Sequence, residues 1–149
     1  MERHSRTLAF AASTKRIVAV FLEDTKVVGW RLSRKAARNP KDAAACLKSW
    51  IDDFEPDLMI SEDPVASHKG DHVKTLLETI GLMCDQADGL NVRLPRRQVY
   101  HDKYEEAKVL ADKYPQLRTL VPRKPAIWNS EPHDISYFEA LSYVEHLRQ

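Results

Sequence analysis

Apolar and polar positions follow each other along this chain in two periods, and the alternation predicts most of its elements. TLAFAAS (7–13) and KRIVAVFLED (15–24) are β-rich runs separated by a tight polar turn near Ser13-Thr14, and KVVGWRLS (26–33) follows a second turn, EDTK. Branched and aromatic runs of this length between polar turns predict three strands in an antiparallel meander. Asn39-Pro40 opens a helix, with Asn as N-cap and Pro at the first helical position, and that helix continues to Pro56. Ala44, Leu47, Trp50, Ile51 and Phe54 keep helical spacing and supply its buried face. DLMIS (57–61) is short and continuously apolar, the pattern of a strand covered on both faces. A second helix is expected over 72–87, with Val73, Leu76, Leu77, Ile80, Leu82 and Met83 as its apolar content, then a fifth strand, LNVRLP (90–95). Helices over 103–115 and 134–147, the latter with Asp134 as its N-cap, flank a segment over 118–133 whose three prolines argue against regular structure.

The order is therefore β-β-β-α-β-α-β-α-loop-α. An antiparallel meander continued by βα units predicts an α/β fold with a five-stranded mixed sheet and helices on both faces, the ribonuclease H-like arrangement. With 149 residues and no repeat or long linker, one domain over 1–149 is expected. Acids at the carboxyl end of the fourth strand would there meet others near the end of the first strand and on the last helix. Such a cluster suits two-metal phosphodiester hydrolysis, in which oxygen ligands hold two Mg²⁺ ions about 4 Å apart.

Composition adds three constraints. No apolar run approaches the length of a membrane span, and MERHSRTLAF has too short an apolar core for a secretory signal, so a cytoplasmic location and no membrane partner are expected. Cys46 and Cys84 fall inside helical patterns without a CxxC or Cys/His cluster, which points to packed thiols. The net charge of +1 hides segregated blocks: 1–41 carries +7, 42–90 carries −8, 91–124 carries +5 and the remainder −3. Folded together, these blocks could set a basic rim around an acidic centre, or simply solvate opposite sides of the domain.

One stretch carries a specific resemblance. FEPDLMISEDP (54–64) resembles the segment in which RuvC-type Holliday-junction resolvases present a catalytic Glu after "Q-P-D" and a short apolar strand, and the match puts Glu62 in that position. RRQVYH (96–101) is similar to the family's fifth-strand exit toward DNA-contacting basic residues, and EALSYV (139–144) to its closing Asp-Ala-Leu helix. The resemblance implies a homodimer acting on branched DNA with Mg²⁺ or Mn²⁺. The helix around Val73 to Met83 is the place to look for the dimer interface.

Two departures alter that expectation. The family's first strand ends in an Asp followed by Pro-Gly, whereas LAFAAST places Ala11 there, and an alanine cannot ligate a metal. Glu23 and Asp24 lie at the far end of the second strand, roughly 30 Å from the turn, so they cannot substitute. In the last helix, aligning Glu139-Ala140-Leu141 with the family's second acid leaves Ser136 at the first. A helical wheel buries Tyr137, Ala140, Leu141, Val144 and Leu147, with Asp134 near the rim and Glu139 on the far side. Asp134 is the better-placed ligand on that wheel and Glu139 the fallback.

Candidate catalytic residues are thus Glu62, Asp134 and Glu139, and candidate metal ligands are Glu62, Asp63 and Asp134. Arg93, Arg96, Arg97, Lys103 and Lys108 could contact phosphates, and His68 and Lys69 form a basic loop that could track a DNA backbone. Each also has an ordinary role: Glu62 as a solvated strand end, Asp63 as a turn residue before Pro64, Asp134 as a helix cap, the basic residues as solvated surface. His133 could be a ligand or base, and Tyr100 and Trp128 could stack on bases or anchor loops. Three classes stay open: a Mg-dependent junction endonuclease, a catalytically inactive relative that binds nucleic acid, and a protein-interaction domain that keeps only the scaffold. Ala11 weighs against the first, and the Arg/Lys density over 93–108 favours the second over the third.

Overall fold

The computed structural model describes residues 5–97, 102–122, 132 and 134–148. Strands β1 (Arg6–Ala12), β2 (Ile17–Glu23) and β3 (Lys26–Ser33) form the expected meander. The β2–β3 turn is tight because Asp24 takes the left-handed conformation, with φ 54°, which Asp tolerates better than most residues. Helix α1 (Pro40–Phe54) begins where the Asn39 side chain accepts a 2.8 Å bond from Asp42 N. It stops where Glu55 turns left-handed at φ 51°, ahead of Pro56. Strand β4 (Leu58–Glu62), helix α2 (Asp71–Gln86), strand β5 (Leu90–Leu94), helix α3 (Lys103–Lys113) and helix α4 (Ile135–Arg148) complete the order.

The sheet runs β3-β2-β1-β4-β5, with β1 parallel to β4 and β4 parallel to β5, the ribonuclease H-like α/β architecture. One core layer packs α1 and α2 against Leu8, Phe10, Ile17, Ala19 and Met59. The other packs α3 and α4 against Ala9, Ala11, Val18, Val20 and Ile60. Residues of β1 and β4 go alternately to one layer and the other, which is why these strands read as unbroken apolar runs.

Several local expectations shift. Ala43, not Ala44, completes the α1 face, four residues before Leu47. On α2, Gly81 and Cys84 are buried while Leu82 is 59% exposed. A 3-10 helix, Pro115–Leu120, occupies the start of the proline-rich segment; residues 123–131 and His133, like Tyr100, lie outside the described residues. No described helix is long and apolar enough to cross a membrane.

Both cysteines are free thiols. Burial, with Asp85 beside it, pushes the Cys84 thiol up to about 12, and burial raises the partly buried Cys46 as well. The thiolate is the reactive form, so at pH 8 a thiol reagent should modify Cys46 slowly and Cys84 only after denaturant is added. Two equally fast reactions in native protein would contradict this packing.

A candidate nucleic-acid site at the carboxyl end of the sheet

Strand β4 delivers Glu62 to its carboxyl end, on the face shared by Ile60, where α4 crosses the sheet. Thr7, Leu8 and Ala9 pair in parallel with Leu58, Met59 and Ile60, and continuing that register by two residues sets Ala11 beside Glu62. Glu23 pairs with Arg6 at the opposite end of β1, well away from Ala11. The first-strand position next to Glu62 is therefore filled by a methyl group that packs in the core.

Glu62 is 1% exposed and is not a solvated strand end. A carboxylate buried so deeply needs partners to offset its desolvation. Lys69 supplies one: its Nζ lies 2.9 Å from Glu62 Oε1, donates to Ala12 O at 3.0 Å, and also bonds Glu139 Oε2. Tyr143, on α4, places its hydroxyl 3.1 Å from Glu62 Oε1 and 2.8 Å from Glu139 Oε2. A phenol has one hydrogen to donate, so the shorter contact to Glu139 takes it and Glu62 depends chiefly on the ammonium. Burial pushes the Tyr143 hydroxyl well above its ordinary range, and Glu139 and Glu62 push it the same way, so it stays protonated.

The loop that carries Lys69 is built to aim it inward. Asp63 Oδ1 accepts from Val65 N at 3.0 Å, closing a turn directly after β4, and Ser67 Oγ, in a buried residue, accepts from Lys69 N at 3.1 Å. Gly70 then caps α2 in an extended conformation. Asp63 takes the turn role. His68 is exposed, but Lys69 turns away from solvent toward the two glutamates.

The last helix also differs from its helical wheel. Glu139 is only 22% exposed and reaches the Glu62 cluster, whereas Asp134 bears electrostatically on Arg16 and Tyr137. The wheel assumed one buried arc, but α4 packs on β1, β2, β4 and α3, and eight of its residues are buried. Leu147, assigned to that arc, is 39% exposed. Arg16, in the β1–β2 turn, is 6% exposed and donates from Nε to Ser136 Oγ at 3.0 Å, fixing the start of α4.

The basic candidates divide between two faces of the sheet. Arg93 pairs with Ser61 in the β4–β5 register, so it stands on the face opposite Glu62. There it bonds Asp85 at 2.7 Å and lies across Gly81, where an added Cβ would come within 2.6 Å of its guanidinium. Arg96 is on the Glu62 side, but its guanidinium bonds Glu106 at 2.8 Å and Ser142 at 2.8 Å. Burial lowers the Arg96 pKa, and the hydrogen bond and charge of Glu106 outweigh that to leave it raised. Lys103, at the start of α3, is lowered by burial, held up by Glu139, and lowered again by Arg96, Lys69 and Arg16. Four cations thus gather around Glu139. Arg97 and Lys108 are exposed nearby in sequence.

No group of three or more His, Cys, Asp or Glu able to hold a metal ion occurs among the described residues. A Mg²⁺ site needs close to six oxygens at about 2.0–2.1 Å. Here two carboxylates converge, an alanine stands in the first-strand position, and an ammonium lies between the acids. These residues do not fit a two-metal centre. A wider cleft, about 780 Å³, lies at the other end of β4 and β5, and its lining includes Asp52, Glu55, Asp57 and Asp88. Such a lining repels phosphates, so the smaller, cation-ringed site is the better candidate for nucleic acid.

Known structures share this fold. RuvC of Thermus thermophilus in complex with a Holliday junction substrate superposes with a TM-score of 0.60 at 11% identity, over 97% of this chain and 96% of that one. A second Thermus thermophilus RuvC structure gives 0.57 at 10% identity, over 96% and 95%. Fowlpox virus resolvase, in complex with its Holliday junction DNA, gives 0.59 at 14% identity, over 97% and 99%. No family model and no curated protein matches the sequence.

Among residues that sequence reasoning missed, Tyr143 and Arg16 matter most. Tyr143 had a signal: it follows Glu139 by four residues, which puts both on one face of a helix. Arg16 had none, because a basic residue in a hairpin turn ordinarily points to water.

Proposed function

We propose that this protein binds branched DNA through the carboxyl end of its sheet and does not cleave it by a metal-dependent route. The observation that carries the reading is the Lys69 ammonium between Glu62 and Glu139, in a fold shared with resolvases that are bound to Holliday junctions in known structures. Hydrolysis of a phosphodiester by that fold needs an activated water and a stabilised leaving oxygen, and the described residues around Glu62 do not supply the ligand set that would hold ions for this. Its residues can still hold phosphates. Lys103 sits beside Glu139, with Lys108 exposed on α3 and Arg97 exposed just after β5. In this reading the protein acts as a homodimer of single 1–149 domains, with the exposed Leu82 of α2 in the interface.

A four-way junction titrated in EDTA should be retarded in a gel with micromolar affinity or better. Raising salt should weaken binding with a log–log slope of about −3 or steeper, the signature of three or more neutralised phosphates. Mg²⁺ or Mn²⁺ should produce no cut strands. Cleavage that Glu62→Gln abolishes would replace this reading with a working nuclease, and absence of salt-sensitive binding would replace it with a protein-interaction role.

A further inference from the structure

We infer that the Lys69 ammonium is a built-in replacement for a divalent cation, and that removing it uncovers a latent cation site made by Glu62, Glu139 and the Ala12 carbonyl. The three oxygens that receive Lys69 come from three separate elements: the end of β1, the end of β4 and the middle of α4. Convergent oxygens of this kind, with carboxylates dominant, are the ligand set of a hard cation. An ammonium carries three N–H donors, and three acceptors meet them. The separations of 2.9 Å to Glu62 and 3.0 Å to Ala12 O are ammonium hydrogen-bond lengths, nearly 1 Å longer than Mg²⁺ accepts.

Tethering explains why the lysine holds the position against free ions. Lys69 follows Glu62 by a short loop whose turns, at Asp63 and Ser67, are already closed by their own hydrogen bonds. Its head group is therefore presented at a high effective concentration, without the entropy cost of capturing an ion from solution. Arg16, Arg96 and Lys103 add positive charge around Glu139, which disfavours entry of a second cation. Glu62, 1% exposed, is left uncompensated once Lys69 is gone, and that deficit is what a divalent ion would fill.

The test contains no DNA, so its failure and that of the DNA-binding reading are distinguishable. Tb³⁺ and Mn²⁺ are the probes, because Tyr143 contacts both glutamates and would sensitise the emission of Tb³⁺ held between them. Wild type, Lys69→Met and Glu62→Gln/Lys69→Met are compared by thermal unfolding with and without Mn²⁺ and by Tb³⁺ titration. Wild type should show no Mn²⁺-dependent rise in Tm and only the weak emission of surface carboxylates. Lys69→Met should unfold about 8 °C or more below wild type without metal and recover part of that loss in Mn²⁺. It should also gain saturable Tb³⁺ emission at about tenfold or more higher affinity than wild type. Glu62→Gln/Lys69→Met should regain stability without metal and lose the Tb³⁺ site. Equal Tb³⁺ affinity in wild type and Lys69→Met would overturn the inference. So would a Lys69→Met protein that stays unfolded in Mn²⁺ while the double variant folds, because a metal would then be unable to take the lysine's place.

Discussion

Arg96→Met should lower the free energy of unfolding by about 3 kcal/mol, measured by denaturant titration at neutral pH. The substitution keeps the length of the stem but removes the donors to Glu106 and Ser142. Glu106 is 3% exposed, so its carboxylate would remain buried without its strongest partner. The figure sits at the lower end for a broken buried pair because 19% of the Arg96 side chain reaches solvent, where water can screen it. Arg96→Met combined with Glu106→Leu should regain most of the loss, since two apolar groups of similar shape carry no desolvation debt. A single variant within 0.5 kcal/mol of wild type (about the noise of surface substitutions) would show that the pair does not anchor α3 to α4. It would also return Arg96 to the pool of residues available for phosphate.

Phe138→Ala is expected to cost about 3–5 kcal/mol, the range for deleting a buried aromatic ring. Phe138 is 1% exposed, belongs to the layer under α3 and α4, and precedes Glu139 directly. A small cavity of about 30 Å³ already adjoins it, bounded also by Arg96, Lys103, Glu106 and Glu139. Enlarging that space would admit water beside the carboxylate cluster and loosen the helix that supplies Glu139. The variant should therefore lose salt-sensitive junction binding at temperatures well below its own unfolding transition. Loss of stability with junction binding intact up to the transition would separate the core of α4 from the candidate site.

The sequence shows the elements because their signals are local. Asn39-Pro40 closes its own cap, DLMIS is apolar because both faces of β4 are covered, and the meander turns are short enough to force antiparallel pairing. Glu62 is singled out by the resemblance of FEPDLMISEDP to the resolvase segment, and strand alternation then puts it on the face of Ile60. The absence of an acid at Ala11 also needs no structure, as no neighbour can give a methyl group a lone pair. Other features were set by neighbours distant in the chain. Asp134 and Glu139 exchange prominence because α4 is enclosed by four elements, and a wheel assumes one buried side. Arg93 falls on the wrong face for the site by strand parity with Ser61, a pairing that exists only once β5 docks on β4.

By itself, then, the chain determined its order of strands and helices, the face on which Glu62 stands and the alanine at position 11, through periodicities and turn chemistry that act over a few residues. The tertiary structure decided what compensates Glu62. A lysine in a polar loop reads as surface, and only the closing of β1, β4 and α4 around a desolvated carboxylate makes burying its head group cheaper than leaving Glu62 unpaired.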